Sequence, residues 1–124
     1  MRSNAQRFQE KVAGLLYRNK SILDIMTKYQ VTNARVNRSV IKAVTGCGCV
    51  SIDGRKSIPS FEFSEHDSQV YGSLCEDCRR NIESEIGENL FYAASLCSAL
   101  GINFECVLER EISRVESLGR YNLR

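Results

Sequence analysis

Three residue types are scarce in this chain. It has no tryptophan, one proline and one histidine in 124 residues. A single proline speaks against a turn-rich β fold and for helices. With only 8% aromatic residues, aliphatic contacts between helices must supply most of the core. No run of 18 apolar residues occurs, so no membrane-spanning segment is expected. The first residues, Met1-Arg2-Ser3-Asn4-Ala5-Gln6, lack the apolar stretch of a secretory signal. The expected compartment is therefore the cytoplasm, where disulfides are rare. His66 lies in the polar stretch Ser64-Glu65-His66-Asp67 and reads as a solvated side chain. No Cys–His or Ser–His–Asp arrangement is indicated by spacing.

The length suits one domain, 1–124, and 43% hydrophobic residues suffice for a core. The net charge of +2 hides an asymmetry. Residues 1–66 carry 11 Lys/Arg against 5 Asp/Glu, a balance of +6, whereas residues 67–124 carry 6 against 10, a balance of −4. Halves of opposite sign can attract each other within a chain or across a dimer.

Apolar periodicity predicts an all-α bundle of three to four helices. Residues 5–29 read as one helix with Phe8, Val12, Leu15, Leu16, Leu23 and Met26 on one stripe. A second helix is expected over 32–44, with Val36, Val40 and Val44 on one face and Thr45-Gly46 ending it. Val50-Ser51-Ile52, the turn signal Asp53-Gly54 and Ser57-Ile58 suggest a short β-hairpin, and 59–73 reads as loop. Helix three is expected over 74–100, with Ile82, Ile86, Leu90, Ala93, Cys97 and Leu100 inward and a mixed second face of Glu85, Glu88, Asn89, Tyr92 and Leu96. Gly101 stops it, and helix four should cover 104–117 with Val107, Leu108 and Ile112 inward. Tyr92 and Leu96 are the candidates for a face buried against a second copy, giving an expected homodimer.

Six cysteines in a cytosolic chain point to metal or core packing rather than to a disulfide framework. Cys47-Gly48-Cys49 stands just past helix two, and Cys75-Glu76-Asp77-Cys78 opens helix three, 25 residues on. Two close pairs at helix ends can supply a tetrahedron of thiolates, which suits Zn²⁺. Cys75 and Cys78 lie within about 60° of each other on a helical wheel, and a helix N-terminus favours their thiolate forms. Residues 47–78 thus read as a zinc-binding loop region inside the helical domain. The four sulfurs close the shell, which makes such a zinc structural. An iron–sulfur cluster and a redox dithiol or disulfide are the alternatives. Cys97 and Cys106 read as small core residues.

Helix three continues as Glu85-Ile86-Gly87-Glu88-Asn89-Leu90-Phe91-Tyr92, followed by Ser98-Ala99-Leu100-Gly101-Ile102-Asn103-Phe104-Glu105 and Val107-Leu108. Over residues 82–118, about a third of the chain, this resembles the second half of the MazG-like nucleotide pyrophosphohydrolases. Those carry an ExxD motif in an E-hydrophobic-G-D setting, then an ALG-hydrophobic step and another helix. The resemblance implies an all-α, dimeric or tetrameric fold that holds Mg²⁺ with carboxylates from EExxE on one helix and ExxD on the next. The ExxD position here is Glu85-x-x-Glu88, and the EExxE region reads Asn33-Ala34-Arg35-Val36-Asn37. Asn33 and Asn37 share a helical face and match the first and last family carboxylates without their charge, while Arg35 and Arg38 add positive charge. The family has no cysteine knob as a general feature.

The resulting expectation is a divergent MazG-like protein that has gained structural zinc and lost catalysis. It would act as an oligomeric binding or scaffold module, with Asn33, Asn37, Glu85 and Glu88 as its ligand or Mg²⁺ pocket and a nucleotide as one candidate ligand. The alternative is a Mg²⁺-dependent nucleoside triphosphate pyrophosphohydrolase with an altered acidic motif. A second alternative is a nucleic-acid-binding regulator that uses the basic half. Against the latter, the basic residues are spread out and have no interleaved aromatics.

Overall fold

A computed structural model describes residues 1–16, 21–56 and 69–122. It contains four α-helices, α1 (Asn4–Leu15), α2 (Ile22–Lys42), α3 (Glu76–Leu100) and α4 (Phe104–Asn122). A two-stranded antiparallel hairpin, β1 (Val50–Ile52) with β2 (Val70–Gly72), stands between α2 and α3. This is the expected fold class. His66, Ser57 and Ile58 lie outside the described residues. Among the described residues no single helix is long and apolar enough to cross a membrane.

The helix boundaries differ from expectation at one place. The first long helix ends at Leu15 and α2 begins at Ile22, so the division falls in 16–21 rather than near residue 30. Ser21 is the reason: its hydroxyl accepts from the Asp24 amide at 3.3 Å, and its carbonyl accepts from Ile25 at 3.0 Å. The Ser-x-x-Asp spacing is a helix start that outweighs a run of apolar residues. The restart shifts the phase of α2, which leaves Leu15, Leu23 and Met26 exposed and Ile25 buried. α1 starts on a capping box in which the Ser3 side chain accepts from the Gln6 amide and the Gln6 side chain accepts from the Ser3 amide, each at 3.1 Å.

The residues form two compact units, Met1–Val31 with Glu88–Arg124, and Thr32–Gly87. In the first, Val12, Ala94 and Phe104 are buried and Ala5, Phe8, Leu16, Phe91 and Cys97 pack against them. The Phe8 and Phe104 rings meet at 5.9 Å between centroids, tilted by 56°. Ile102 N–H donates to the Cys97 carbonyl at 2.8 Å, the bond that closes a helix over a left-handed glycine, here Gly101. Gln9 of α1 ties this turn down. Its amide nitrogen donates to the Ile102 carbonyl at 2.8 Å, and its amide oxygen accepts from the Phe104 N–H at 2.8 Å. One side chain thus satisfies an acceptor in the α3–α4 turn and a donor left by α4.

Three expectations about burial fail in whole or in part. Val107, Leu108 and Ile112 are exposed, because α4 buries Phe104 in its first turn and turns its later apolar row to solvent. Cys106 is exposed too, whereas Cys97 is half-buried in the core, where burial pushes its thiol pKa up. On α3, Ile86, Leu90 and Leu100 of the expected inward stripe are exposed, whereas Ile82, Ala93 and Cys97 are half-buried and Ala94 and Ser95 are buried. Of the expected mixed second face, Glu85, Asn89, Tyr92 and Leu96 are half-buried and Glu88 is exposed.

The described residues of the second unit bury little apolar surface. Among its described residues the only buried apolar side chains are Ala43 and Val50, beside the buried hydroxyl residues Thr32 and Ser39. Residues 50–52 pair with 70–72 in the register Val50↔Gly72, Ser51↔Tyr71, Ile52↔Val70. The partner strand therefore lies in the stretch that reads as loop from sequence.

Replacing Gln9 with Ala should leave the Ile102 carbonyl and the Phe104 amide without their partner. A loss of about 1–3 kcal/mol in unfolding free energy by urea denaturation is expected. A change near zero would mean that water replaces the side chain there.

Candidate metal centre

Cys47, Cys49, Cys75 and Cys78 come together in the second unit, with all four Sγ atoms within 4.8 Å of one another. Each pair is delivered by a specific backbone device. The last turn of α2 widens into a π-helical turn, Ala43–Cys47, closed by a Gly48 N–H to Ala43 carbonyl bond of 2.9 Å. Such turns insert a residue into the helix and are frequent at functional sites. Gly48 then takes a left-handed conformation at φ 81°, which redirects the chain so that Cys47 and Cys49 flank it. Cys49 Sγ reaches the same Ala43 carbonyl at 3.9 Å.

The second pair sits at the N-terminus of α3. Cys75 caps the helix: its Sγ accepts from the Cys78 N–H at 3.4 Å, and its carbonyl accepts from Arg79 at 2.9 Å. The hairpin holds the two pairs together. Gly72 is opposite Val50 at φ 87°, and a Cβ there would lie 2.6 Å from the Cys49 carbonyl oxygen. Only glycine lets β2 approach the CxC turn this closely.

The electrostatics call for a cation. The Cys78 amide, together with the neighbouring thiols, holds the Cys75 pKa down to about 7. Hydrogen bonding to Cys75, then desolvation and the other sulfurs, pushes Cys78 up to about 12, and the bond to Cys75 raises Cys47. A first thiolate forms readily here, and further negative charge is opposed by its neighbours. A divalent ion among them removes that repulsion. The geometry suits one. Metal–thiolate bonds of about 2.3 Å in a tetrahedron place neighbouring sulfurs about 3.8 Å apart, and Cys47 and Cys75 stand at 3.8 Å. All six cysteines are free thiols. The four-cysteine cluster is thus compatible with a metal site in both donor chemistry and spacing.

The other expected site residues are distributed differently. Asn33 and Asn37 are exposed on α2 and Glu88 is exposed on α3. Glu85 is half-buried and lines a cavity of about 210 Å³ with Arg35, Arg38, Ser39, Lys42 and Asn81. Neither asparagine lines that cavity. The basic residues carried a legible signal, since 35, 38 and 42 are spaced to share one helical face. What periodicity could not indicate is that this face meets Glu85 and Asn81.

Comparison with protein-family models, curated proteins and solved structures found no match to this chain.

Gly72→Ala should bring a methyl group against the Cys49 carbonyl and pull the two cysteine pairs apart. Lower thermal stability and weaker metal retention against a chelator are expected. Gly54→Ala is the control, because a Cβ there meets nothing within 4 Å. Equal behaviour of the two variants would show that the close approach is not required.

Proposed function

We propose that this protein is a zinc-stapled helical binding module that does not catalyse nucleotide hydrolysis. The observation that carries this reading is the convergence of four Sγ atoms within 4.8 Å in a unit whose only buried apolar side chains, among the described residues, are Ala43 and Val50. A metal cross-link would add to the small apolar burial that the described residues of this unit provide. Four thiolates around Zn²⁺ leave no open position for substrate or water, so the ion is structural. Six free thiols support a reducing, cytoplasmic setting.

The MazG-like relationship belongs to the same proposal and is supported by the order helix, Gly101, helix over residues 82–118. The surroundings of Glu85 favour binding over hydrolysis. Mg²⁺ chemistry needs clustered carboxylates, and Glu85 shares its cavity with Arg35, Arg38 and Lys42 instead. Robust Mg²⁺-dependent pyrophosphate release from a nucleoside triphosphate, abolished by Glu85→Gln, would favour the catalytic alternative.

The proposed assembly is a homodimer, with the partner face on α4 rather than at Tyr92 and Leu96, which are half-buried within the chain. Leu108, Ile112 and Val115 form an exposed apolar row at i, i+4 and i+7. Two such rows can cover each other about a two-fold axis, with the mixed charges of Glu111 and Arg114 alongside.

Metal analysis should find one zinc per chain. Cys75→Ser should lose it and lower the melting temperature sharply, whereas Cys97→Ala should cost only about 1–2 kcal/mol for a small cavity. Because Cys47 and Cys78 hold their protons more tightly than an ordinary thiol, zinc must displace them. Retention should therefore weaken as pH falls, read out with a zinc-sensitive dye. Protein that purifies without metal, or with the visible absorbance of iron, would sink the zinc assignment. Light scattering should give the mass of two chains at micromolar concentration, falling to one in Ile112→Asp with helicity unchanged. A monomeric wild type would reject the α4 interface.

A further inference from the structure

Cys47 is the exposed member of the cysteine cluster, whereas Cys49, Cys75 and Cys78 are half-buried. Its Sγ stands 3.8 Å from that of Cys75, 28 residues on in sequence. The two belong to different elements. Cys47 is the last residue of the π-turn that ends α2, and Cys75 immediately precedes α3. Both lie in the unit Thr32–Gly87. All four cysteines are free thiols, although each sulfur has three others within 4.8 Å.

An oxidant arriving from solvent meets the Cys47 sulfur first, and three sulfurs stand within reach to complete a disulfide. They are not equivalent. A bond from Cys47 to Cys49 would span the single residue Gly48, already at φ 81°, and so small a ring departs from relaxed disulfide geometry. Cys49 Sγ is also turned to the Ala43 carbonyl at 3.9 Å. Cys78 sits in the first turn of α3, where the helix fixes its backbone. Cys75 lies just outside the helix, and its Sγ accepts from the Cys78 N–H at 3.4 Å. Sulfur is a weak acceptor, so this contact yields to a covalent bond. A disulfide needs about 2.0 Å between sulfurs, so the Cys47–Cys75 pair must close roughly 1.8 Å from its 3.8 Å.

We propose that the cluster is a peroxide-responsive staple: oxidation joins Cys47 to Cys75 as a disulfide, releases the zinc, and leaves the end of α2 tied to the start of α3 by a covalent bond in place of the metal. This inference deepens the zinc reading above and rests on it. The Cys47 thiolate attacks one oxygen of hydrogen peroxide. The O–O bond breaks, the sulfur is oxidised to a sulfenic acid, and the departing hydroxide takes a proton and leaves as water. The Cys75 thiolate then attacks the Cys47 sulfur. The S–S bond forms, the S–O bond breaks, and the second hydroxide takes a proton and leaves as water. Two electrons have passed from the two sulfurs to peroxide. Cys49 and Cys78 alone hold the ion too weakly, and they take up protons as it leaves. A thiol reductant reverses the bond by exchange, after which the four sulfurs can reload. Transient disulfides of this kind are the sort found in a reducing compartment. Because the new bond joins the same two chain positions as the metal, the unit keeps its cross-link in both states.

The test uses full-length Cys106→Ala protein, which removes the other exposed cysteine, and its zinc content is measured first. One equivalent of hydrogen peroxide is added at pH 7.5, freed zinc is read with a dye, remaining thiols are alkylated, and tandem mass spectrometry locates the disulfide. One zinc should be freed for each peroxide consumed, with Cys47–Cys75 as the first disulfide, and reductant with added zinc should restore the starting protein. The oxidised protein should keep a melting temperature well above that of reduced protein stripped by a chelator. Zinc-loaded protein whose first pairing is any other than Cys47–Cys75, or that keeps its zinc while peroxide is consumed, would overturn the exchange and leave the zinc reading standing. So would an oxidised protein that melts like the stripped, reduced one. Protein without zinc before oxidation would overturn the zinc reading and the exchange with it.

Discussion

Crowding of four thiols in a unit whose described residues bury few apolar side chains is the constraint on which the rest of this structure turns. Sulfurs within 4.8 Å of one another resist taking up negative charge together, and their neighbourhood offers little apolar burial to hold them in place. Several unusual backbone features of the unit act on this one problem. The π-turn after α2, the left-handed Gly48, the Cβ-free approach of Gly72 and the thiol cap on α3 all aim sulfur at a common point. A divalent ion there would convert mutual repulsion into the main cross-link of the unit.

The two helices that carry the cysteine pairs share a further feature. Along α2 the covered positions Ile25, Tyr29, Thr32, Val36, Ser39 and Ala43 recur at intervals of four and three, and along α3 the positions 78, 82, 85, 89, 92 and 96 do the same. In the second unit these rows carry hydroxyls, an unpartnered carboxyl oxygen and small residues where a stability-driven core would carry leucine. A helix pair held by metal can tolerate a polar seam, and a polar seam can receive a polar ligand. Glu85 Oε2 is buried there without a hydrogen-bond partner.

The first unit is built differently. Val12, Ala94 and Phe104 form an ordinary small core, and Gln9 satisfies the ends of the α3–α4 turn through one side-chain amide. Its unusual feature is outward: α4 presents Leu108, Ile112 and Val115 to solvent. The two units thus meet the same shortage of apolar burial by different means, a metal cross-link in one and, on the proposed reading, a second chain in the other.

The sequence by itself determined the helical class, the stop at Gly101, the first strand at Val50–Ile52 and the convergence of the two cysteine pairs. These are local matters, decided by proline scarcity, cap chemistry and the short reach between paired thiols at helix ends. Tertiary structure alone decided which faces of α3 and α4 are covered, that Val70–Gly72 pairs with β1, and that Glu85 meets Arg35, Arg38 and Lys42 rather than Asn33 and Asn37. Periodicity counts apolar residues, and here the inner seam holds Thr32, Ser39 and Glu85 while Ile86, Leu90 and Ile112 stay outside. Which side of a helix is covered depends on what packs against it, and those partners are remote in sequence.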